Sequence, residues 1–243
     1  MPTLQVFVDF DNVENGLKSA GPVALAKTIL TLIPAPMLSR HDEAAVRLYG
    51  GWRCGGNLTN SAQRLVPDLR ASSPTAFPLV IAGVTHNLRL IVELADKPLG
   101  QSMVLSETYV KDRTLRKFRA RQKPWDACAN GQCGFQKYAG SASSDVCPSP
   151  QCSVKLLDIF VRDEQKMVDT LMVADIARAA LVDRSQDIVI VSSDTDMWPG
   201  LLLAMNAGCH VTHVHTKQGW ATQRHLLRTI QGPLSKFYFC TSP

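Results

Sequence analysis

Two acidic clusters follow two short apolar stretches of the sequence, and their residue types could bind a metal ion. The first stretch is VFVDFDN at residues 6–12, and the second is IVIVSSDTD at residues 188–196. A β-branched or aromatic run that ends in carboxylates is typical of a buried parallel strand with a polar tip. Ligands of open α/β sheets bind outside those carboxyl ends. Carboxylates gathered there repel each other unless a cation joins them, and hard oxygen ligands suit Mg²⁺ or Mn²⁺.

Asp9 is the acid that is hardest to explain as a surface residue, because it directly follows Val-Phe-Val. A carboxylate at that position is partly buried, which is costly without a cation or hydrogen-bond donors. Asp11 projects to the same side if the strand extends that far, and Asn12 adds an amide group. Asp194 lies just past the second apolar strand. Asp196 is either a further metal ligand or only the N-cap of the helix that follows.

The apolar spacing predicts a helix over residues 165–181, and this helix carries a further acid, Asp169. Lys166 and Asp169 lie three residues apart and would share one face of this helix. Asp169 either completes a three-carboxylate site or is an ordinary acid of a first helical turn, where the helix dipole favours an anion. Asp175 would point elsewhere.

The elements around these motifs alternate between strands and helices, which predicts a mostly parallel sheet covered on both faces. Strands are predicted over residues 4–9, 44–49, 79–82, 102–110, 154–161, 188–191, 210–215 and 236–240. Helices are predicted over residues 17–33, 58–69, 86–95, 165–181 and 222–230, with a further helix from Pro199 to about Gly208; residues 72–78 are predicted as a loop.

The length of 243 residues suits one large α/β domain, or one domain with an insertion. No stretch reaches the roughly 18 consecutive apolar residues of a membrane helix. The N-terminus has no basic segment before an apolar run, which argues against a signal peptide. We therefore expect a cytoplasmic protein without a membrane span.

A basic run between Lys111 and Lys123 predicts a nucleic-acid surface. It contains seven basic residues against the single acid Asp112, whereas the whole chain has a net charge of only +5. Basic residues occupy every second position from 117 to 123, so a strand would place them on one face; they are Lys117, Arg119, Arg121 and Lys123. Such a field attracts phosphate backbones. The alternative is an ordinary solvated face.

Four of the seven cysteines fall within one short window, namely Cys128, Cys133, Cys147 and Cys152. In a reducing compartment such clustering indicates metal before disulfides. Two Cys-x4-Cys pairs can wrap a tetrahedral structural Zn²⁺, which would act as a fold clip and not as a catalyst. We predict a small zinc-ribbon-like module inserted at residues 124–153. The alternative is unmetallated thiols or redox pairs.

Taken in order, the acidic motifs resemble those of the NYN family of PIN-like nucleases. The matching segments are FVDFDN at residues 7–12, KMVD at residues 166–169 followed by Leu171 and Asp175, and VSSDTD at residues 191–196. The last motif is followed by a predicted helix, a glycine and a strand, as in the family. The likeness covers residues 3–110 and 154–216, with the cysteine window as an insertion. One departure is Ser193, where the family more often has glycine.

The resemblance implies a PIN-like three-layer α/β sandwich, formed by one domain over residues 1–243, with a catalytic Mg²⁺ or Mn²⁺. The metal-binding acids would be Asp9, Asp169, Asp194 and Asp196. Asn12 would steady the site, and Ser193 would hydrogen-bond a ligand or a carboxylate. The implied activity is cleavage of single-stranded or structured RNA by a metal-activated water, which needs no histidine as a base. We therefore expect the histidines at positions 86, 210, 213 and 215 to be surface or core residues.

Two other functions are compatible with parts of the pattern. DFDNV at residues 9–13 also matches the Asp-x-Asp-x-Val motif of haloacid-dehalogenase-like phosphatases. There Asp9 would be the nucleophile and Asp11 the acid or base, with Asp194 or Asp196 on Mg²⁺. Against it, no glycine-bearing flap follows the first strand, and Asp169 has no role. The second alternative is a catalytically inactive RNA-binding protein.

Overall fold

The computed structural model describes residues 3–81, 83–112, 162–165 and 167–242. By its contacts the chain divides into two units. One combines Met1–Tyr109 with Gln165–Pro243, and the other is Val110–Glu164. The predicted site acids all belong to the first unit.

The first unit is built on a seven-stranded sheet. The strands of the described chain are β1 (Thr3–Asp9), β2 (Glu43–Tyr49), β3 (Arg53–Cys54), β4 (Asn57–Leu58), β5 (Thr75–Ile81), β6 (Val84–Leu94), β7 (Tyr109–Asp112), β8 (Arg162–Gln165), β9 (Asp187–Val191), β10 (His210–Val214) and β11 (Tyr238–Thr241). The order across the large sheet is β11-β10-β9-β1-β2-β6-β5, while β3 pairs with β4 and β7 with β8 in two small sheets. Every neighbouring pair of the large sheet is parallel except β5 and β6.

Helices cover both faces of this sheet, as the alternation of elements predicts. They are α1 (Asn15–Ser19), α2 (Pro22–Thr31), α3 (Ala35–Leu38), α4 (Asn60–Ser72), α5 (Val168–Leu181), α6 (Trp198–Asn206) and α7 (Arg224–Leu227). Successive side chains of a strand point to opposite faces. Accordingly Val6 and Val8 of β1 belong to one buried cluster with Ile29 of α2, whereas Phe7 belongs to another with Ile176 of α5. The arrangement is consistent with a three-layer α/β sandwich.

Two predictions along the chain are wrong at β5 and β6. The helix predicted over 86–95 is wrong because residues 86–94 belong to the strand β6, and the predicted loop at 72–78 contains the start of β5. Leu90 and Leu94 fit both helical and strand spacing, but Leu88, Leu90 and Val92 are the buried residues and alternate along β6. Pairing with β2 and β5 decides the outcome. Pro78 is tolerated because β5 is an edge strand.

Three predicted helices differ at their ends. The helix predicted over 17–33 is divided at Gly21, whose φ is 93°, and α2 begins with Pro22 at its first position. The helix predicted from residue 165 begins at Val168, because Met167 has a φ of 63°. The helix predicted over 222–230 is reduced to the single turn α7. The strand predicted over 102–110 is also displaced, because β7 begins only at Tyr109.

Several predictions lie outside the described residues. They are the strand over 154–161, the residue Lys166, the basic residues Lys117, Arg119, Arg121 and Lys123, and the cysteines Cys128, Cys133, Cys147 and Cys152. The zinc module and the basic RNA-binding strand therefore stay predictions. Within the part of the chain that is described, no helix is both long enough and apolar enough to span a membrane.

Candidate active site

Asp9 ends β1 at the carboxyl edge of the sheet and is 3% exposed. Its carboxylate is held by groups from two different elements. Ser192, which follows β9, donates its hydroxyl to Asp9 Oδ2 at 2.8 Å, and the side-chain amide of Asn12 donates to the same oxygen. The backbone N–H of Asn12 donates weakly to Oδ1 at 3.4 Å, so that Asp9 also caps the 3₁₀ turn Phe10–Asn12. The structure therefore brings Asp9 and Asn12 together, as the sequence predicts.

The end of β9 carries the second acidic motif to the same place, because β9 is the parallel neighbour of β1. Ser192 links the two motifs: its hydroxyl also accepts the backbone N–H of Asp194 at 3.0 Å. Asp194 then caps the 3₁₀ turn Thr195–Met197 by accepting the N–H of Asp196 at 3.0 Å. The capping residue is thus Asp194, and Asp196 lies exposed in the turn that it caps. The interpretation of Asp196 as an N-cap is wrong.

Asp169 is the acid that the helix α5 contributes, and it lies in the first turn of that helix. Its pKa is raised, most of all by burial and then by the negative charges of Asp9, Asp194 and Asp196. Asp169 is therefore within electrostatic reach of the other three acids that the resemblance names as metal ligands.

Asp11 is a fifth carboxylate at this edge, although the strand ends before it and places it in the 3₁₀ turn. Part of its surface is open to solvent, yet burial is the largest influence on its pKa. Lys18 lowers that pKa, the charges of Asp9 and Asp169 raise it, and the result is about 6. Lys18 also donates to the backbone carbonyl of Asp11 at 2.9 Å. At this edge, neighbouring acids raise the pKa values of both Asp11 and Asp169 in addition to the effect of burial.

The donor set fits a hard divalent cation in its chemistry, because it consists of carboxylate oxygens that repel each other. Within the described residues, no three His, Cys, Asp or Glu side chains already stand close enough to form a coordination shell. Closing such a shell would require side-chain adjustments of the acids around Asp9. Asp169 and Asp196 are exposed residues, for which such adjustments meet little packing resistance.

Two residues of this edge are ones that sequence reasoning missed. Ser192, and not Ser193, contacts the Asp9 carboxylate, and its neighbour Ser193 is hydrogen-bonded to Nδ1 of His215 at 3.1 Å. His215 directly follows β10, so the rule that polar residues after strand ends meet at one edge would have identified it. It is 2% exposed, and burial lowers its pKa. This agrees with the expectation of a core histidine, although this one lies beside the acids.

His213, two residues earlier, is a buried member of the same strand. Its Nε2 bonds the carbonyl of Ser192 at 2.7 Å, and its Nδ1 lies 3.0 Å from the Tyr238 hydroxyl. Burial is the main cause that lowers its pKa to about 4, so the ring is neutral at neutral pH. Its role is to fix the backbone of the second acidic motif.

A larger groove of about 510 Å³ lies elsewhere, along α4 and β6. Its charged groups are largely paired within the fold: Arg53 bonds Asp96 at 2.8 Å, and Arg89 bonds Glu43 at 2.8 Å. The groove contains none of the five acids. Its size alone gives it no chemistry, and the small cleft beside Asp194 is the one that adjoins reactive groups.

No family model, no curated protein and no solved structure matches this chain. The interpretation of the site consequently depends on its own residues and their arrangement.

Proposed function

We propose that this protein is a divalent-metal-dependent ribonuclease, which hydrolyses RNA phosphodiester bonds with a metal-activated water. The observation that carries the proposal is the group of five carboxylates at the carboxyl edge of the sheet, where burial and then the charges of neighbouring acids raise the pKa values of Asp11 and Asp169. A fold keeps such an arrangement at a cost in stability unless a cation offsets it. The NYN-like order of the motifs supports the same assignment.

Each residue of the edge has a role in this proposal. Asp9, Asp169, Asp194 and Asp196 would hold the metal, while Asn12 and Ser192 keep the Asp9 carboxylate in one orientation. The chemistry that a bound Mg²⁺ or Mn²⁺ supplies is polarisation of a phosphoryl oxygen and a lower pKa for a water. Asp194 is itself fixed by two hydrogen bonds. Its backbone N–H donates to the Ser192 hydroxyl, and its carboxylate accepts the backbone N–H of Asp196. Asp9 and Asp194 are thus oriented before substrate arrives, whereas Asp169 and Asp196 would have to adjust to reach the metal.

The basic residues 117–123 would attract the phosphate backbone of RNA, as the sequence predicts. Lys18, which donates to the backbone carbonyl of Asp11, adds a positive charge at the edge itself. The four cysteines of the predicted module would hold a structural Zn²⁺. Charge reversal at Arg119 and Arg121 should weaken RNA binding and lower its salt dependence; unchanged binding would remove that segment from the proposal.

The test is incubation of the purified protein with labelled single-stranded RNA in Mn²⁺, Mg²⁺ or EDTA. We expect cleavage with the metals, none in EDTA, and loss of cleavage in Asp9→Asn and Asp194→Asn with RNA binding retained. The matched control is Asp68→Asn, which removes an exposed acid of α4 and should cleave normally. RNA that is bound but never cleaved would instead indicate an inactive RNA-binding protein.

The phosphatase alternative has one observation in its favour. The pKa of Asp11, about 6, suits a general acid and base near neutral pH. The described chain between Asp9 and Glu43, however, consists of helices and turns with no strand that could build a flap. Hydrolysis of a small phosphomonoester, lost in Asp11→Asn and unaccompanied by RNA cleavage, would favour this function over the nuclease.

A further inference from the structure

The segment that follows β10, residues 216–223, is tied to the candidate active site near both of its ends. We refer to it as the Trp220 loop. Thr216 donates its hydroxyl to the backbone carbonyl of Asn12 at 3.4 Å, and the Thr222 hydroxyl bonds His215 Nε2 at 3.1 Å. Between these anchors the backbone N–H of Trp220 donates to the backbone carbonyl of Lys217 at 3.1 Å and closes a turn. The loop is therefore positioned by residues of the site itself.

Trp220 is exposed at the tip of this loop, in contrast to the other tryptophans of the described chain. It is 48% exposed, whereas Trp52 is 1% and Trp198 is 6% exposed. Trp220 and Asp194 line the same small cleft. The ammonium group of Lys217 lies 4.8 Å from the centroid of the Trp220 ring and covers one of its faces. A half-exposed indole that lines a cleft beside an acidic site is a surface on which a flat ligand can stack.

The size of the cleft determines how a ligand would use it. Its enclosed part measures only about 40 Å³, which has room for water but not for a nucleobase. A base would therefore lie against the rim, where Trp220 stands. The cleft is also lined by the neutral polar groups of Ser193 and Thr222, and its acidic lining residue is Asp194.

We propose that Trp220 stacks an unpaired base of single-stranded RNA next to the scissile phosphate, while Lys217 contacts a phosphate of the same strand. The assignment to RNA as substrate rests on the proposed nuclease function; the stacking itself does not. Base stacking on an aromatic side chain tolerates any sequence, because every base has a π-face. This loop would select unpaired nucleotides over duplex, in which the bases are already stacked.

The experiment measures binding without cleavage, by fluorescence anisotropy of a labelled short oligoadenylate RNA with the full-length protein in EDTA. We expect Trp220→Ala to weaken binding about tenfold and Trp220→Phe to restore most of it, as for one stacked base. Lys217→Gln should reduce the salt dependence of binding by about one phosphate contact. The matched control is Phe239→Ala, another exposed aromatic residue, on the edge strand β11, which should bind like the parent protein.

A second arm needs no variant. The parent protein should bind an abasic oligonucleotide of the same length, with all its phosphates, about tenfold more weakly than oligoadenylate. Equal binding of the two probes, equal binding by Trp220→Ala and the parent, or no binding by the parent would each overturn the inference. The proposed nuclease is judged separately, by metal-dependent cleavage in the parent and its loss in Asp194→Asn. Cleavage with no effect at Trp220 would leave the nuclease standing and remove the stacking site.

Discussion

The two edges of the central sheet each contain a buried aspartate, and the side chains that contact the two carboxylates differ in charge. Asp187 begins β9 at the amino edge and is 1% exposed, and Asp9 ends β1 at the carboxyl edge and is 3% exposed. Burial of a carboxylate costs free energy at either place unless the charge is balanced. The source of that balance differs between the edges.

The charge of Asp187 is surrounded by an arginine and by histidine side chains of the same fold. Arg40 donates to its Oδ1 at 2.8 Å, and His41 Nε2 lies 2.9 Å from Oδ2. His210, its neighbour across the sheet, lies 3.6 Å away. At the carboxyl edge the side-chain donors to Asp9 are the neutral groups of Asn12 and Ser192.

Under the proposed function, Asp187 serves stability and Asp9 serves chemistry. A carboxylate with a guanidinium partner needs nothing from outside the fold. Asp169 differs, because burial and then the charges of Asp9, Asp194 and Asp196 raise its pKa, which suits an external cation. Four changes would break or sharpen this contrast.

The largest effect is expected on catalysis. Asp169→Asn removes a proposed metal ligand, and we expect RNA cleavage to fall by about a hundredfold or more. Asp187→Asn should leave cleavage per folded molecule unchanged, because it lies at the opposite edge. Rates are compared after correction for the folded fraction, measured by circular dichroism. A similar loss in both variants would contradict the separation of the two edges.

The next effect is on the free energy of unfolding, for which Asp187→Asn should be the more damaging of the two variants. Asp187→Asn should lower the free energy of unfolding by about 3 kcal/mol, because Arg40 and His41 lose the charge that they surround. Asp169→Asn should leave the stability of the metal-free protein unchanged or slightly higher, since it removes repulsion. Urea unfolding in EDTA measures both. A marked destabilisation by Asp169→Asn would show that its charge already has a stabilising partner.

Metal binding should act on one edge alone. Millimolar Mn²⁺ should raise the midpoint of thermal unfolding by a few degrees in the parent protein, since a ligand that binds only the native state stabilises it. The increase should disappear in Asp9→Asn and persist in Asp68→Asn. Differential scanning fluorimetry gives the comparison. An equal increase in all three proteins would mean that the ion binds elsewhere.

The smallest effect concerns pH and Asp11. Its pKa is raised from the ordinary 3.8 to about 6 in the folded protein. The stability that this group contributes is fully present below the lower value and is lost as the pH rises from there through about 6, because in that window the native state still binds a proton that the unfolded chain has released. Asp11→Asn should therefore gain stability over the parent as the pH rises from about 4 to about 7. We expect less than about 1 kcal/mol, since the side chain reaches solvent.

The unfolding measurements for Asp11→Asn are made in EDTA at several pH values. A stability difference that stays constant with pH would contradict the raised pKa of Asp11. Repeating the series with Mn²⁺ should abolish the difference or reverse it, because a bound cation favours the charged carboxylate.

Prediction from sequence succeeded where local signals and tertiary packing agree. The apolar runs before Asp9 and Asp194 are strands, and their neighbouring positions in the sheet bring the two acids together. It failed at β6, where Leu90 and Leu94 suit either period and only the pairing with β2 and β5 selects a strand. It also chose Ser193 over Ser192, because sequence spacing does not reveal which hydroxyl faces β1.

The sequence by itself determined the class of fold and the acids of the candidate site, because strand periodicity and polar residues after apolar runs are local properties. Only the tertiary structure decided which charges are balanced. Asp9 follows an apolar run and Asp187 precedes one, but neither local sequence shows which carboxylate meets cationic partners. The fold places Arg40 and His41 beside one, and other carboxylates near the other. Electrostatic balance depends on distances between residues far apart in the chain, which only the folded arrangement specifies.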